Sequence, residues 1–137
     1  MKVLKIAALF LAMLFVMQIP VFSSAFTPIS GSRTIDSFHV DYSIQNIGNI
    51  RTKGILSTDG VKLQGSLPDY IYGSLWICTE DSNGVLYYTS EQVLSVAYGN
   101  PLYISQYLTL PLGKVLDNST AYYNFMGTLW GLSCYYY

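Results

Sequence analysis

Hydrophobic and polar residues alternate strictly in the stretch SFHVDYSI, which runs from Ser37 to Ile44. In an extended chain successive side chains point to opposite faces, so a period of two places one set on a core and the other in water. The hydrophobic set is Phe38, Val40, Tyr42 and Ile44, and the polar set is Ser37, His39, Asp41 and Ser43. The stretch therefore predicts a half-buried β-strand.

Similar strand-like stretches recur along the chain, separated by turn residues. Asp59-Gly60 lies between two of them and predicts a two-residue hairpin turn, because both positions can reach positive φ. The stretch YIYGSLWICT predicts a central strand, and AYYNFMGTLWGLSCYYY predicts one long strand or two. Roughly seven or eight short strands with almost no helical periodicity predict an all-β fold. The predicted architecture is a small antiparallel β-sandwich, with a small β-barrel as the alternative.

The first 25 residues have the pattern of a secretory leader. Two lysines precede the apolar run from Ile6 to Met17, and small residues lead up to Ala25. That order predicts a signal peptide at 1–25 cleaved after Ala25, since the run is short for the roughly 20 residues of a membrane span. The protein is therefore expected to be secreted. Pro, Ser and Gly predict a flexible lead-in at 26–35, and residues 36–137 predict a single β-sandwich domain.

The chain has two cysteines, Cys78 and Cys134. In a secreted protein they predict one disulfide bond. Trp76 lies two residues before the first cysteine and Trp130 four before the second, and even spacings share a strand face. Both tryptophans are therefore expected to pack around the bridge in the core. The aromatic ending WGLSCYYY is interpreted as a core strand rather than a ligand platform or a membrane anchor.

The sequence offers few groups for catalysis or metal binding. His39 is the single histidine, and it shares a predicted strand face with Ser37 and Asp41. That face has no nucleophile turn and no identifiable oxyanion hole, so a catalytic triad is not favoured. One histidine and a bridged cysteine pair leave zinc without ligands, and the DSNG stretch at 81–84 predicts a turn rather than a calcium loop. No catalytic residue, metal or cofactor is expected.

Charge limits the classes of partner. The residues after Ala25 include five Lys or Arg and eight Asp or Glu, a formal charge of −3. No basic stripe is present, which argues against nucleic acid, because phosphate neutralisation dominates that affinity. Contact with an anionic membrane is not favoured for the same reason, since it requires a basic face.

Tyrosine is the most frequent aromatic residue, with thirteen copies. The pairs Tyr87-Tyr88 and Tyr122-Tyr123 must each put one ring on the face away from the core. The candidate contact surface is Tyr87, Tyr88, Tyr122, Tyr123, Tyr135 and Tyr137. These residues predict a non-enzymatic extracellular binding or structural module, whose partner is a carbohydrate, a protein or a second copy. The alternatives are a membrane-active toxin or antimicrobial protein and a small extracellular hydrolase.

Overall fold

Nine β-strands make up the regular structure of residues 28–135, the part of the chain that this computed structural model describes. They are β1 (Ile29–Ile35), β2 (Phe38–Ile47), β3 (Arg51–Lys62), β4 (Tyr70–Asp81), β5 (Leu86–Tyr88), β6 (Gln92–Ala97), β7 (Leu102–Thr109), β8 (Leu116–Phe125) and β9 (Thr128–Tyr135). The predicted all-β class is confirmed.

The strands form two antiparallel sheets. The four-stranded sheet has the order β1–β2–β3–β7. In the five-stranded sheet β9, β8 and β4 follow one another, and β5 and β6 both pair with β4, at its end and at its beginning. The two sheets are not closed into a barrel, so the sandwich-like architecture holds and the barrel alternative is wrong.

The hydrophobic core lies between the sheets and contains side chains from both. Phe38, Val40 and Ile44 of β2 are fully buried, whereas His39 on the same strand is exposed. The ring of Phe38 meets the ring of Phe125 of β8 edge-on, with 5.4 Å between their centroids. The alternation in the sequence therefore predicted correctly which side chains of β2 enter the core.

The structure corrects the predicted flexible lead-in at 26–35 for residues 29–35. Ile29–Ile35 forms β1, which pairs along its whole length with β2. Asp36 and Ser37 join the two strands as a two-residue turn, with φ of 49° and 65°. Such turns match the twist of the flanking strands, and Asp tolerates positive φ better than most residues. The domain therefore includes the strand before residue 36.

The predicted hairpin at Asp59-Gly60 is also wrong, because both residues lie inside β3. The pairing of β2 with β3 shifts there, from Phe38 opposite Lys62 to Val40 opposite Thr58. Gly60 has a φ of +81° and serves a β-bulge instead of a turn. Met126 and Gly127, both with positive φ, do form a two-residue turn, so the last aromatic run is two strands.

Two predictions concern residues that the structure does not describe. These are the signal peptide at 1–25 and the positions of Tyr136 and Tyr137 at the end of the last predicted strand. Within residues 28–135 the structure contains no helix that is long and apolar enough to span a membrane.

The structure does not contain the predicted disulfide, because Cys78 and Cys134 are both free thiols. β8 separates them: Cys78 pairs with Thr120, and Cys134 pairs with Ser119. Thr120 and Ser119 are consecutive and point to opposite faces, so Cys78 points outward and Cys134 points into the core. Two strand spacings of about 4.8 Å also exceed the roughly 7 Å between Cα atoms that a disulfide can bridge.

Each tryptophan does share the face of its own cysteine, but the two faces are opposite. Trp130 packs from the inner face of β9 on the core residue Tyr123, with which its ring stacks at 5.5 Å between centroids. Trp76 lies on the outer face of β4 opposite Tyr122. The expectation that both tryptophans surround a bridge in the core is therefore wrong for Trp76.

The two thiols are expected to differ in reactivity. Burial raises the pKa of both, that of Cys134 to about 11, and Cys134 is 5% exposed. A thiol reagent at about pH 8 should therefore react with Cys78 in the native protein and with Cys134 only after unfolding. The variant Cys78→Ser should lose the native reaction and keep the second one. Unfolded protein without any reactive thiol would contradict the strand register.

Candidate functional site

The outward side of the five-stranded sheet carries a set of tyrosines around one tryptophan. We call it the aromatic face, and it comprises Tyr70, Tyr72, Trp76, Tyr88, Tyr122 and Tyr135. Four of these tyrosines are markedly exposed, for example Tyr70 at 63% and Tyr88 at 60%. Tyr122 at 37% and Trp76 form the more covered centre. Large aromatic groups on one solvent-facing sheet are suited to contact with a partner, since they combine apolar area with polar edges.

The centre of the aromatic face is a row of three rings. Trp76 and Tyr122 stack with 4.1 Å between centroids and 18° between planes. The ring of Tyr88 lies beyond Trp76, 6.2 Å away. On the other side Tyr122 leans over Gly131, with its Cδ1 3.5 Å from the place a β-carbon would take. Because these residues sit on mutually paired strands, the row is held in place before any partner arrives.

Neutral and acidic hydrogen-bonding groups border the row on one flank. Asn118 Nδ2 donates to Glu80 Oε1 at 2.9 Å, and the hydroxyls of Thr120 and Ser133 are 2.7 Å apart. All four residues belong to the outward side of β4, β8 and β9. On the opposite flank Ser74 Oγ donates to the carboxylate of Glu91.

The Lys and Arg side chains of the described residues lie away from the aromatic face. Of the Lys and Arg side chains in residues 28–135, four belong to the strands of the other sheet and Lys114 to the connection between β7 and β8. Arg51 and Lys53 both lie over the ring of Tyr107, on the outer side of the four-stranded sheet. The aromatic face consequently combines aromatic rings with amide, hydroxyl and carboxylate groups.

The structure divides the tyrosines that the sequence singled out. Tyr88, Tyr122 and Tyr135 lie on the aromatic face, whereas Tyr123 is 1% exposed in the core. Tyr123 Oη donates to the carbonyl of Ser43 at 2.6 Å, and burial raises the pKa of this phenol strongly. Tyr87 is half-buried on the inner side. Tyr123 and Tyr87 therefore do not belong to the contact surface, and Tyr137 lies outside the described residues.

Three aromatic residues of this face were not among the sequence candidates: Tyr70, Tyr72 and Trp76. The signal was present, because these positions share one parity in β4, while Ile71, Leu75 and Ile77 have the other and are fully buried. The cysteine two residues after Trp76 suggested a core position instead.

Asp81 shows how the turn after β4 is built. Its buried carboxylate accepts hydrogen bonds from the backbone amides of Asn83 and Val85 and from Tyr87 Oη. Burial opposes ionisation, but these bonds and the charge of Lys114 outweigh it and lower the pKa of Asp81. The predicted turn at 81–84 is confirmed. Residues 28–135 contain no group of three His, Cys, Asp or Glu side chains that could hold a metal ion.

The face that suggested a catalytic triad has a different arrangement. Asp41 accepts a hydrogen bond from Ser32 Oγ at 2.5 Å and lies 3.1 Å from His39 Nε2. Ser37 is a turn residue. The Asp41 carboxylate thus contacts both Ser32 and His39 and lies between them. In a nucleophilic triad the histidine must take that middle position. A shallow depression of about 310 Å³ lies beside Asp41, lined mainly by serines.

Comparison with known proteins assigns no family. No protein-family model matches the chain, and no curated protein matches it.

Proposed function

We propose that the protein is a non-enzymatic extracellular binding module whose aromatic face recognises a neutral carbohydrate. The observation that carries the proposal is the ring row of Tyr88, Trp76 and Tyr122, which paired strands hold beside neutral hydrogen-bonding groups. Extracellular action follows from the predicted leader at 1–25.

The chemistry of the face suits a sugar ring. One side of a hexose presents C–H groups, which pack on aromatic rings, while its hydroxyls both donate and accept hydrogen bonds. Asn118, Glu80, Thr120 and Ser133 supply donors and acceptors on the adjoining rows of the sheet. Rows on one face are roughly 7 Å apart along a strand, so a sugar that packs against the ring row beside Trp76 can also reach the hydroxyl of Thr120.

The charge of the face favours a neutral ligand. Glu80 and Glu91 are its carboxylates, and the Lys and Arg side chains of the described residues belong to other surfaces. Nucleic acids and anionic lipids bind through phosphate neutralisation, which requires cations. Because the aromatic face is exposed to solvent and does not enclose a ligand, we expect weak binding, with a Kd of about 10 μM to 1 mM.

The replacement Trp76→Ala should weaken carbohydrate binding by at least about tenfold, since it removes the central ring. The measurement is a screen of neutral glycans with the secreted protein, followed by calorimetric titration of the best ligand. Tyr88→Ala should also weaken binding. Because the Tyr88 side chain is 60% exposed, this substitution should leave the protein folded. The matched control is Tyr103→Ala, a tyrosine of similar exposure on the outer side of β7, which should leave binding unchanged. Absence of glycan binding, or unchanged binding in both face variants, would disprove the proposal.

A further inference from the structure

β9 is the outermost strand of the five-stranded sheet, and within residues 28–135 it pairs with β8 alone. In an edge strand alternate residues direct their backbone N–H and C=O groups away from the neighbouring strand. An eight-residue edge therefore offers a row of donors and acceptors to an added strand. The occupant of such an edge is, by geometry, another β-strand.

β9 lacks the features that usually block this addition. It contains no charged residue and no proline, and no charged side chain occurs from Asn118 to Tyr137. Natural edge strands are protected by charges, by proline, by bulges or by being short. The sequence TLWGLSCY is instead rich in residues that favour strands.

The other edges in the described residues are better protected. β1 carries Arg33 and follows Pro28, and β7 is flanked by Pro101 and Pro111. The edge opposite β9 is divided into the short strands β5 and β6, with Glu91 in the interruption between them. β9 is therefore the edge at which strand addition meets least resistance.

Both sides of β9 also leave apolar surface uncovered. Leu129 is 72% exposed on the outward side. Trp130 and Leu132 on the inner side pack against the core but are only partly buried, and Arg33 of β1 lies over the Trp130 ring, 5.0 Å from its centroid. An added strand would cover part of all three side chains, which contributes hydrophobic stabilisation beyond the backbone hydrogen bonds.

We propose that two copies of the chain associate by antiparallel pairing of β9 with β9, which joins their five-stranded sheets. A two-fold axis at Leu132 places Leu132 opposite its equivalent and Leu129 opposite Tyr135 of the second copy. This register keeps outward residues outward in both copies and creates an aliphatic–aromatic cross-strand pair. The lack of charged side chains in β9 favours a second copy as the occupant, since two identical strands of this sequence meet without like-charge repulsion between them.

The pairing leaves the aromatic face open and points both copies' faces in the same direction. It does not rest on the carbohydrate proposal, and it holds whatever the face binds. If the face does bind a repeating glycan, two sites on one joined sheet would add avidity.

Sedimentation equilibrium of the secreted protein between about 1 and 200 μM tests the pairing, because a dimer joined along one eight-residue strand should dissociate within that range. The wild-type protein should show a monomer–dimer equilibrium. Leu129→Lys should raise the dissociation constant by at least about tenfold, because it removes the Leu129–Tyr135 contact of both copies and puts a charged side chain at each of these positions in the joined edge. The matched control is Leu112→Lys, a fully exposed leucine in the connection between β7 and β8, which should leave the equilibrium unchanged.

Hydrogen exchange identifies the strand involved. Amides of residues 128–135 should exchange faster in Leu129→Lys than in wild type at the highest concentration, while those of β1 should not change. A wild-type monomer at the highest concentration, or a dimer that Leu129→Lys leaves intact, would overturn the proposal. Leu129→Glu provides a second variant of opposite charge and should give the same result as Leu129→Lys.

Discussion

Replacing Tyr123 with alanine is expected to lower the free energy of unfolding by about 3–5 kcal/mol, the usual cost of removing a buried aromatic ring. Tyr123 is 1% exposed and packs against both Tyr42 and Trp130. Its hydroxyl donates to the carbonyl of Ser43, so the substitution also leaves a partly buried acceptor without this donor. Urea denaturation followed by tryptophan fluorescence and circular dichroism would measure the loss.

The adjacent residue provides the matched control. Tyr122→Ala removes a ring of the same size from the outward side of the same strand, where it is 37% exposed and stacks on Trp76. The expected loss is about 1–1.5 kcal/mol, the value of an aromatic contact with partial burial. Equal losses for the two variants would mean that β8 does not place its alternate side chains as described.

Tyr122 and Tyr123 show what residue alternation in the sequence can predict. Two consecutive tyrosines in a strand must point to opposite faces, but the pair alone does not show which ring points away from the core. The neighbours contain the answer, because Ala121 and Phe125 share the parity of Tyr123, and both are fully buried. Asn124, a polar residue, shares the parity of Tyr122. The strand β5 is only three residues long, so Tyr87 and Tyr88 had no comparable pattern around them.

Parity within one strand does not orient one strand relative to another, and this is why the disulfide was predicted wrongly. Spacing correctly placed Trp76 with Cys78 and Trp130 with Cys134. Whether the two pairs face each other depends on the register of both strands with β8, which is a tertiary property. An aromatic residue beside a cysteine predicts a core position, although an outer sheet face can also be aromatic.

The architecture is easier to predict from the sequence than the aromatic face, for a physical reason. Alternation and turn residues are local signals, and they predicted β2, β4 and the two-sheet arrangement. The aromatic face is assembled from β4, β5, β8 and β9, so it exists only once the strand order is fixed. The sequence alone could therefore indicate exposed tyrosines, but it could not indicate that three rings form one row.

The substitution Gly60→Ala is expected to destabilise the fold by at least about 3 kcal/mol, through two separate effects. The φ of +81° at Gly60 is unfavourable for any residue with a β-carbon, at about 1–2 kcal/mol. The new β-carbon would also lie 1.9 Å from the backbone oxygen of Asn100, in the turn between β6 and β7. A backbone atom cannot rotate away, so the bulge of β3 and this turn must separate. That movement would break the hydrogen bond that the Gly99 amide donates to the Gly60 carbonyl.

Gly99→Ala isolates the contact from the backbone strain. Gly99 has a φ of +91°, and its β-carbon would meet no atom within 4 Å. This variant should therefore show only the conformational cost of about 1–2 kcal/mol. Chemical denaturation of both variants gives the difference directly, and a Gly60→Ala loss no larger than that of Gly99→Ala would contradict the close approach. A hairpin turn at residues 59–60 would tolerate alanine at Gly60 no worse than the open turn at Gly99 does. The excess cost at Gly60 thus distinguishes the observed bulge, packed against Asn100, from the turn that Asp59-Gly60 predicts in the sequence.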